Sequence, residues 1–162
     1  MNNIIKVGMA DYKTCLSPDG LTTLGLGSCV GVAVRDPIKK IGGLAHVMLP
    51  DSTIFKTGNV NIAKFADTAI PALVEEMKKR GANTGNLTAK IAGGATMFAF
   101  QNKSELVRVG DHNVEAVKKA LEKLKIRIIA EDTGDSYGRT VIFLPETGDY
   151  IIRAVGKEEK II

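Results

Sequence analysis

The sequence predicts a mixed α/β domain with more strand than helix. Three observations lead there. Short β-branched or apolar runs recur along the 162 residues, most of them closed by a Gly, Pro or Asp turn. Two stretches alone repeat apolar residues at helical spacing. Apolar residues make up 44% and charged residues 25% of the chain, the usage of a protein that builds its own core. That excludes a disordered, collagen-like or coiled-coil chain.

Taken in order, residues 4–14 read as a strand, ended by the Ser17-Pro18-Asp19-Gly20 turn. Residues 22–35 are small and β-branched and read as one glycine-rich strand. Asp36-Pro37 turns the chain, and residues 41–49 return as a strand closed by Pro50, so the two strands form a hairpin. A polar loop spans residues 51–60. Ile62, Phe65, Ala66, Ala69, Ile70, Leu73, Val74 and Met77 follow at helical spacing, with Asn59 or Asn61 to cap the start and Gly81 the end. Pro71 inside this pattern predicts a kink or a break. Residues 86–92 read as a strand that leads into Gly93-Gly94 and an irregular stretch. Val114, Val117, Leu121 and Leu124 mark a second helix from around Asp111. Strands at 126–130, 140–144 and 150–155 complete a single domain spanning residues 1–156, and the charged residues 157–162 are expected to form a mobile tail.

Lys plus Arg number 22 and Asp plus Glu 18, a net charge of +4. No basic stripe with interleaved aromatics is present, which argues against nucleic-acid binding. No apolar run approaches the ~18 residues that span a bilayer, and the first residues lack the apolar stretch of an export signal. The expected compartment is the cytoplasm, without direct membrane insertion. No His, Cys or Asp cluster has metal-ligand spacing, and neither Gly93-Gly94 nor Gly134 fits a nucleotide-binding pattern, so neither a metal nor a cofactor is expected.

Two cysteines, Cys15 and Cys29, do not suggest a disulfide framework in a chain of this size. A free thiol is then either a small core hydrophobe or a reactive group. Cys29 lies in Leu24-Gly25-Leu26-Gly27-Ser28-Cys29-Val30-Gly31. In an extended strand, Gly25, Gly27, Cys29, Gly31 and Ala33 share one face, and Leu26, Val30, Val32 and Val34 the other. A core cysteine normally sits among large neighbours. This one sits on a bare, glycine-floored face, which suits a groove that admits a substrate chain. His46, in Leu44-Ala45-His46-Val47-Met48-Leu49-Pro50, is either a satisfied core histidine or a base. The hairpin would place it on a strand paired with that of Cys29, where it could take the thiol proton. Thr22, Thr23 and Ser28 are candidates to orient its ring. Cys15 reads as structural, and His112 as a solvated helix-start residue.

These residues carry a family resemblance. Thr23-Leu24-Gly25-Leu26-Gly27-Ser28-Cys29-Val30 and Ala45-His46-Val47-Met48-Leu49-Pro50 closely resemble CheD, the chemoreceptor glutamine deamidase family of bacterial and archaeal chemotaxis. The likeness continues in Ala89–Ala95, in Val109-Gly110-Asp111-His112-Asn113 and in Glu131-Asp132-Thr133-Gly134. Two positions depart from the family pattern: His112 replaces an arginine and Asp135 a glycine.

The resemblance implies a layered sandwich of mixed β-sheet with helices packed on it, similar to glutamine-deamidating toxin domains. It implies Cys29 as nucleophile, His46 as base and Thr23 as its support. Backbone N–H groups near Ser28 and Cys29 would hold the oxyanion. The implied activity is conversion of receptor glutamines to glutamate through a cysteine thioester, with glutamate methyl-ester hydrolysis as a possible side activity. The implied partners are chemoreceptor cytoplasmic domains and the CheC phosphatase, which the family binds and stimulates. Two other classes compete with this reading. One is a non-catalytic regulator of CheC and receptor signalling. The other is a thiol redox sensor, for which Cys15 is the only available resolving cysteine.

Overall fold

The chain crosses three times between two β-sheets by residue 30, and these crossings build the rest of the architecture. The computed structural model describes residues 2–54, 60–97 and 108–162. Sheet one has the order β1-β3-β8-β9-β10 and sheet two the order β2-β5-β4-β6-β7. Their strands are β1 (Ile4–Lys6), β2 (Tyr12–Leu16), β3 (Gly20–Leu26), β4 (Val30–Asp36), β5 (Ile41–Val47), β6 (Thr88–Gly93), β7 (Arg127–Thr133), β8 (Arg139–Leu144), β9 (Asp149–Arg153) and β10 (Lys160–Ile161). The β1/β3 and β6/β7 pairs are parallel and the others antiparallel. The fold is thus the mixed α/β sandwich expected.

The hairpin β4–β5 divides two cores by its alternation. Val30, Val32, Val34, Ala45 and Val47 face the helices. Ala33 and Leu44 face sheet one, where they meet Leu21, Leu26, Val141, Phe143 and Tyr150. Small residues on that inner face let the sheets approach closely. The helices are α1 (Ala66–Lys79) and α2 (Val109–Lys123). Ala66, Ala69, Ile70, Leu73, Val74 and Met77 of α1, and Val117 and Leu121 of α2, form the stripes that cover sheet two.

Several expectations need correction. The single strand over 4–14 is two strands, in different sheets, separated by a bend in which Ala10 takes φ +53°. The single strand over 22–35 is likewise β3 and β4, in different sheets, separated by a corner at 27–29. The first helix starts at Ala66, because Leu49 bridges to Phe65 and its carbonyl accepts from Ala66 N at 2.9 Å. Asn61 caps a preceding turn through Ala63 N instead. Asn59 and the rest of residues 55–59 of the 51–60 loop lie outside the described residues. The helix runs unbroken through Pro71. Residues 157–162 are no free tail: β10 pairs with β9, Ile162 exchanges backbone bonds with Tyr150, and Lys160 pairs with Asp132 at 3.2 Å.

Candidate active site

Two of the inter-sheet crossings, at 7–11 and 27–29, meet over β5. At the first, the Thr23 hydroxyl donates to Val7 O at 2.7 Å and lies 2.7 Å from His46 Nδ1. A hydroxyl has one proton. With that proton on Val7 O, Thr23 can only accept from the ring, so Nδ1 carries the hydrogen and Nε2 keeps its lone pair. His46 N also donates to Asp11 O at 2.9 Å, which anchors the same strand to the crossing. His46 and Thr23 are fully buried, and His46 Nε2 makes no hydrogen bond. Of the three candidates to orient the ring, the contact belongs to Thr23; Thr22 turns its hydroxyl to Val141 O.

At the second crossing, Gly25 takes φ +71°, the β3/β8 register shifts between Thr23 and Leu26, and Gly27 N bonds back to Gly25 O at 3.0 Å. Only glycine adopts this backbone without strain. The chain thereby turns out of sheet one, and Cys29 stands at the entry to β4. Since Val30 pairs with Val47 and Gly31 with His46, Cys29 lies diagonally across from His46, a relation in which longer side chains still meet. The carbonyls of the corner are all held. Gly27 O accepts from Ala95 N at 2.9 Å and Cys29 O from Gly94 N at 2.8 Å. Ser28 O accepts from Asn113 Nδ2 at 2.9 Å. Gly93 is indispensable to this fit, because a Cβ there would collide with Cys29 O.

The glycine face does not exist as the sequence suggested. Gly31 is buried between the sheets, where an added Cβ would lie 2.7 Å from Tyr150 Oη and 3.0 Å from Leu26 Cδ1. It floors no groove. Gly25 is exposed, with nothing within 4 Å of an added Cβ, so conformation accounts for its glycine. Gly27 and Ser28 remain half-buried at the corner, Gly27 beneath the Met97 side chain.

Burial pushes the Cys29 thiol above its ordinary value, an effect opposed by the residue's own backbone N–H directed at the sulfur. Burial also holds His46 below the usual imidazole value. Both shifts favour the neutral thiol with the neutral imidazole. A standing thiolate–imidazolium pair is therefore disfavoured at rest.

Asn113 escaped the reading of individual side chains, although it stands within a quoted motif. It is fully buried, and its Nδ2 also donates to Met48 O at 2.9 Å, so it joins the Cys29 corner to the end of β5. The available signal was a polar residue on a buried helical stripe, since Asn113, Val117 and Leu121 recur every fourth residue. Arg139 was also missed. Its fully buried side chain bonds Asp132 at 3.1 Å and Gly134 O at 3.0 Å, and Gly134 N in turn holds Gly93 O. Asp135 takes φ +60°, a backbone that the family's glycine would adopt more freely. His112 is half-buried and lines a groove between α1 and α2. Among the described residues no group of three or more His, Cys, Asp or Glu could hold a metal ion, and no helix is long and apolar enough to cross a membrane.

A thiol diagonal to a neutral imidazole with a bare Nε2 can carry nucleophilic acyl transfer, which sets the class of chemistry open to this site. Comparison with known proteins narrows it. The sequence pattern of the family described as "CheD chemotactic sensory transduction" matches residues 48–154. The chain is 56% identical over 162 residues to the probable chemoreceptor glutamine deamidase CheD of Lachnoclostridium phytofermentans, covering 100% of both chains. It is 50% identical, with the same full coverage, to the chemoreceptor glutamine deamidase CheD of Halalkalibacterium halodurans. The corresponding figure for the probable chemoreceptor glutamine deamidase CheD of Syntrophomonas wolfei is 48%, again over 100% of both. The chain belongs to the CheD family.

Proposed function

We propose that this protein deamidates glutamine side chains of chemoreceptor cytoplasmic domains in the cytoplasm, with Cys29 as nucleophile, His46 as proton carrier and Thr23 as the group that fixes the ring. The observation that carries the proposal is the Val7–Thr23–His46 chain, which leaves Nε2 unprotonated. In the first step Nε2 takes the thiol proton as sulfur attacks the carboxamide carbon, and the C=O electron pair moves onto oxygen. Backbone N–H groups at Ser28 and Cys29 stabilise that oxyanion. Collapse restores the C=O bond and breaks the C–N bond, with the Nε2 proton passing to the departing ammonia. Water, deprotonated by Nε2, then splits the thioester, and glutamate and the thiol are released. A glutamate methyl ester would enter the same steps with methanol as leaving group.

Proton transfer concerted with attack suits the neutral resting pair. Gly25, Gly27 and Ser28 border the entrance and are the corner residues nearest an incoming chain. The same protein binds and stimulates CheC, a role that follows the family resemblance.

The test is incubation with a receptor cytoplasmic fragment and mass mapping of its glutamines. Amide-to-acid conversion at discrete glutamines with matching ammonia release, absent with Cys29→Ala, is the expected result. Unchanged receptor alongside CheC stimulation by both forms would refute the catalytic role and leave the binding regulator.

A further inference from the structure

Asn113 spends both of its carboxamide protons on backbone carbonyls that flank the proposed reacting groups. Ser28 O belongs to the residue before Cys29, and Met48 O to the second residue after His46; each is 2.9 Å from Nδ2. We infer that Asn113 is a positioning residue that aims the Cys29 amide at the reacting centre, where the oxyanion would form. The inference rests on the deamidase reading of Cys29 and deepens it.

The argument begins with the peptide plane. A trans peptide holds its C=O and the following N–H antiparallel. Tying Ser28 O to α2 therefore turns the Cys29 N–H away from α2. That N–H is the one directed at the Cys29 sulfur. The plane cannot swing freely, because the carbonyls on either side are held by Ala95 N and Gly94 N. A hydrogen bond accepted at the carbonyl also polarises the peptide and strengthens the donor at its other end.

The reversed amide orientation is excluded chemically, since it would set Oδ1 against two carbonyl oxygens. In the orientation present, Oδ1 is buried without a hydrogen bond. That is a penalty a space-filling side chain at this position would not carry. A role confined to packing would favour an apolar residue of the same size. The bridge also sets the distance between the nucleophile's corner and the end of the histidine's strand, because one –NH2 group holds both.

The experiment compares Asn113→Leu, of similar volume and without donors, with Asn113→Gln, which keeps the carboxamide. The first readout is the pH dependence of iodoacetamide alkylation at Cys29, located by peptide mass, and it needs no receptor. Loss of the aimed N–H should move the Asn113→Leu profile to higher pH by about half a unit or more. The second readout is deamidation. There kcat should fall about 10- to 100-fold with KM within about twofold. Asn113→Gln should recover part of both effects.

An unmoved alkylation profile overturns the proposal, as does a kcat loss that merely tracks a lowered melting temperature. If Asn113→Leu does not fold, Asn113→Gln and Asn113→Ser are read in the same two ways; failure of all three to fold makes the bridge a fold element and overturns the proposal. Absence of deamidation by the unmodified protein would refute the deamidase reading, and the alkylation profile alone would then decide what Asn113 does to the amide.

Discussion

Cys15 and Cys29 are both buried against the inter-sheet core, at 1% and 8% exposure, and burial raises both thiols. What surrounds them differs. Cys15 sits within β2, paired with Gly42, and its thiol points at Asp19 O at 3.5 Å. Burial, reinforced by the Asp19 carboxylate and only partly offset by Arg80, pushes it up to about 11. Cys29 stands where a strand has just ended, with its own N–H toward the sulfur and a bare imidazole nitrogen on the facing strand. Burial alone therefore does not distinguish the proposed nucleophile from the other thiol. The groups that meet the sulfur do, and those are supplied at a break between strands rather than within one.

The largest expected difference comes from removing each sulfur in turn. Cys29→Ala should lower deamidation by at least ~1,000-fold and change stability by only about 1 kcal/mol. Cys15→Ala should leave deamidation within about twofold while costing a comparable ~1–2 kcal/mol in stability. Receptor-fragment turnover and denaturant melts measure both. Equal activity losses in the two variants would erase the distinction between the thiols.

A smaller effect is expected one step behind Cys29. Thr23→Val keeps the shape but removes the acceptor for Nδ1–H, so the ring is no longer held in the tautomer that bares Nε2. Turnover should drop about 10- to 100-fold, and Thr23→Ser should restore most of it. Indistinguishable valine and serine variants would mean that the hydroxyl has no part in the reaction.

The smallest effect is thermodynamic and belongs to Cys15. Its folded-state value lies above the ordinary thiol value of 9.0. Its contribution is whole below about pH 9 and is lost as pH climbs toward about 11, because only the unfolded chain then releases the proton. The denaturation midpoint of the unmodified protein should fall more between about pH 8 and about pH 10.5 than that of Cys15→Ala. The same linkage with opposite sign applies to His46, whose lowered value makes stability fall on acidification through and below about pH 6.5. Parallel alkaline curves for the two proteins would show that Cys15 titrates as an ordinary thiol.

Much of the candidate site was legible because thiols, imidazoles and hydroxyls are conspicuous among apolar strand residues. Cys29 and His46 could be named as candidates from type and spacing, Thr23 was singled out from Thr22 and Ser28 only by the family resemblance, and the β4–β5 hairpin followed from the Asp36-Pro37 turn. The corner was not legible, since strand alternation carries straight across it. Leu26 and Val30 were counted on one core face, yet Leu26 packs between the sheets and Val30 packs under the helices. Gly31, counted as open surface, lies deep between the sheets for the same reason. The break at Ala10 is equally silent, because alanine gives no notice of a positive φ. The C-terminal strand was hidden by its composition. Charged residues read as tail, while the ordering comes from backbone pairing with β9 and the Lys160–Asp132 contact.

The sequence distances spanned by these contacts carry a consequence for how the protein is made. Thr23 lies 16 residues from Val7 and 23 from His46, so the chain that sets the imidazole proton is closed entirely within the first 46 residues. The bridge from Asn113 spans 85 residues to Ser28 and 65 to Met48. Loop closure costs more entropy as the loop lengthens, and long-range contacts form late for that reason. During synthesis, when the N-terminal part emerges first, the histidine can thus be set while the cysteine corner still waits for Gly93, Gly94 and Asn113. The proposed site is complete only when the second half of the chain has folded onto the first.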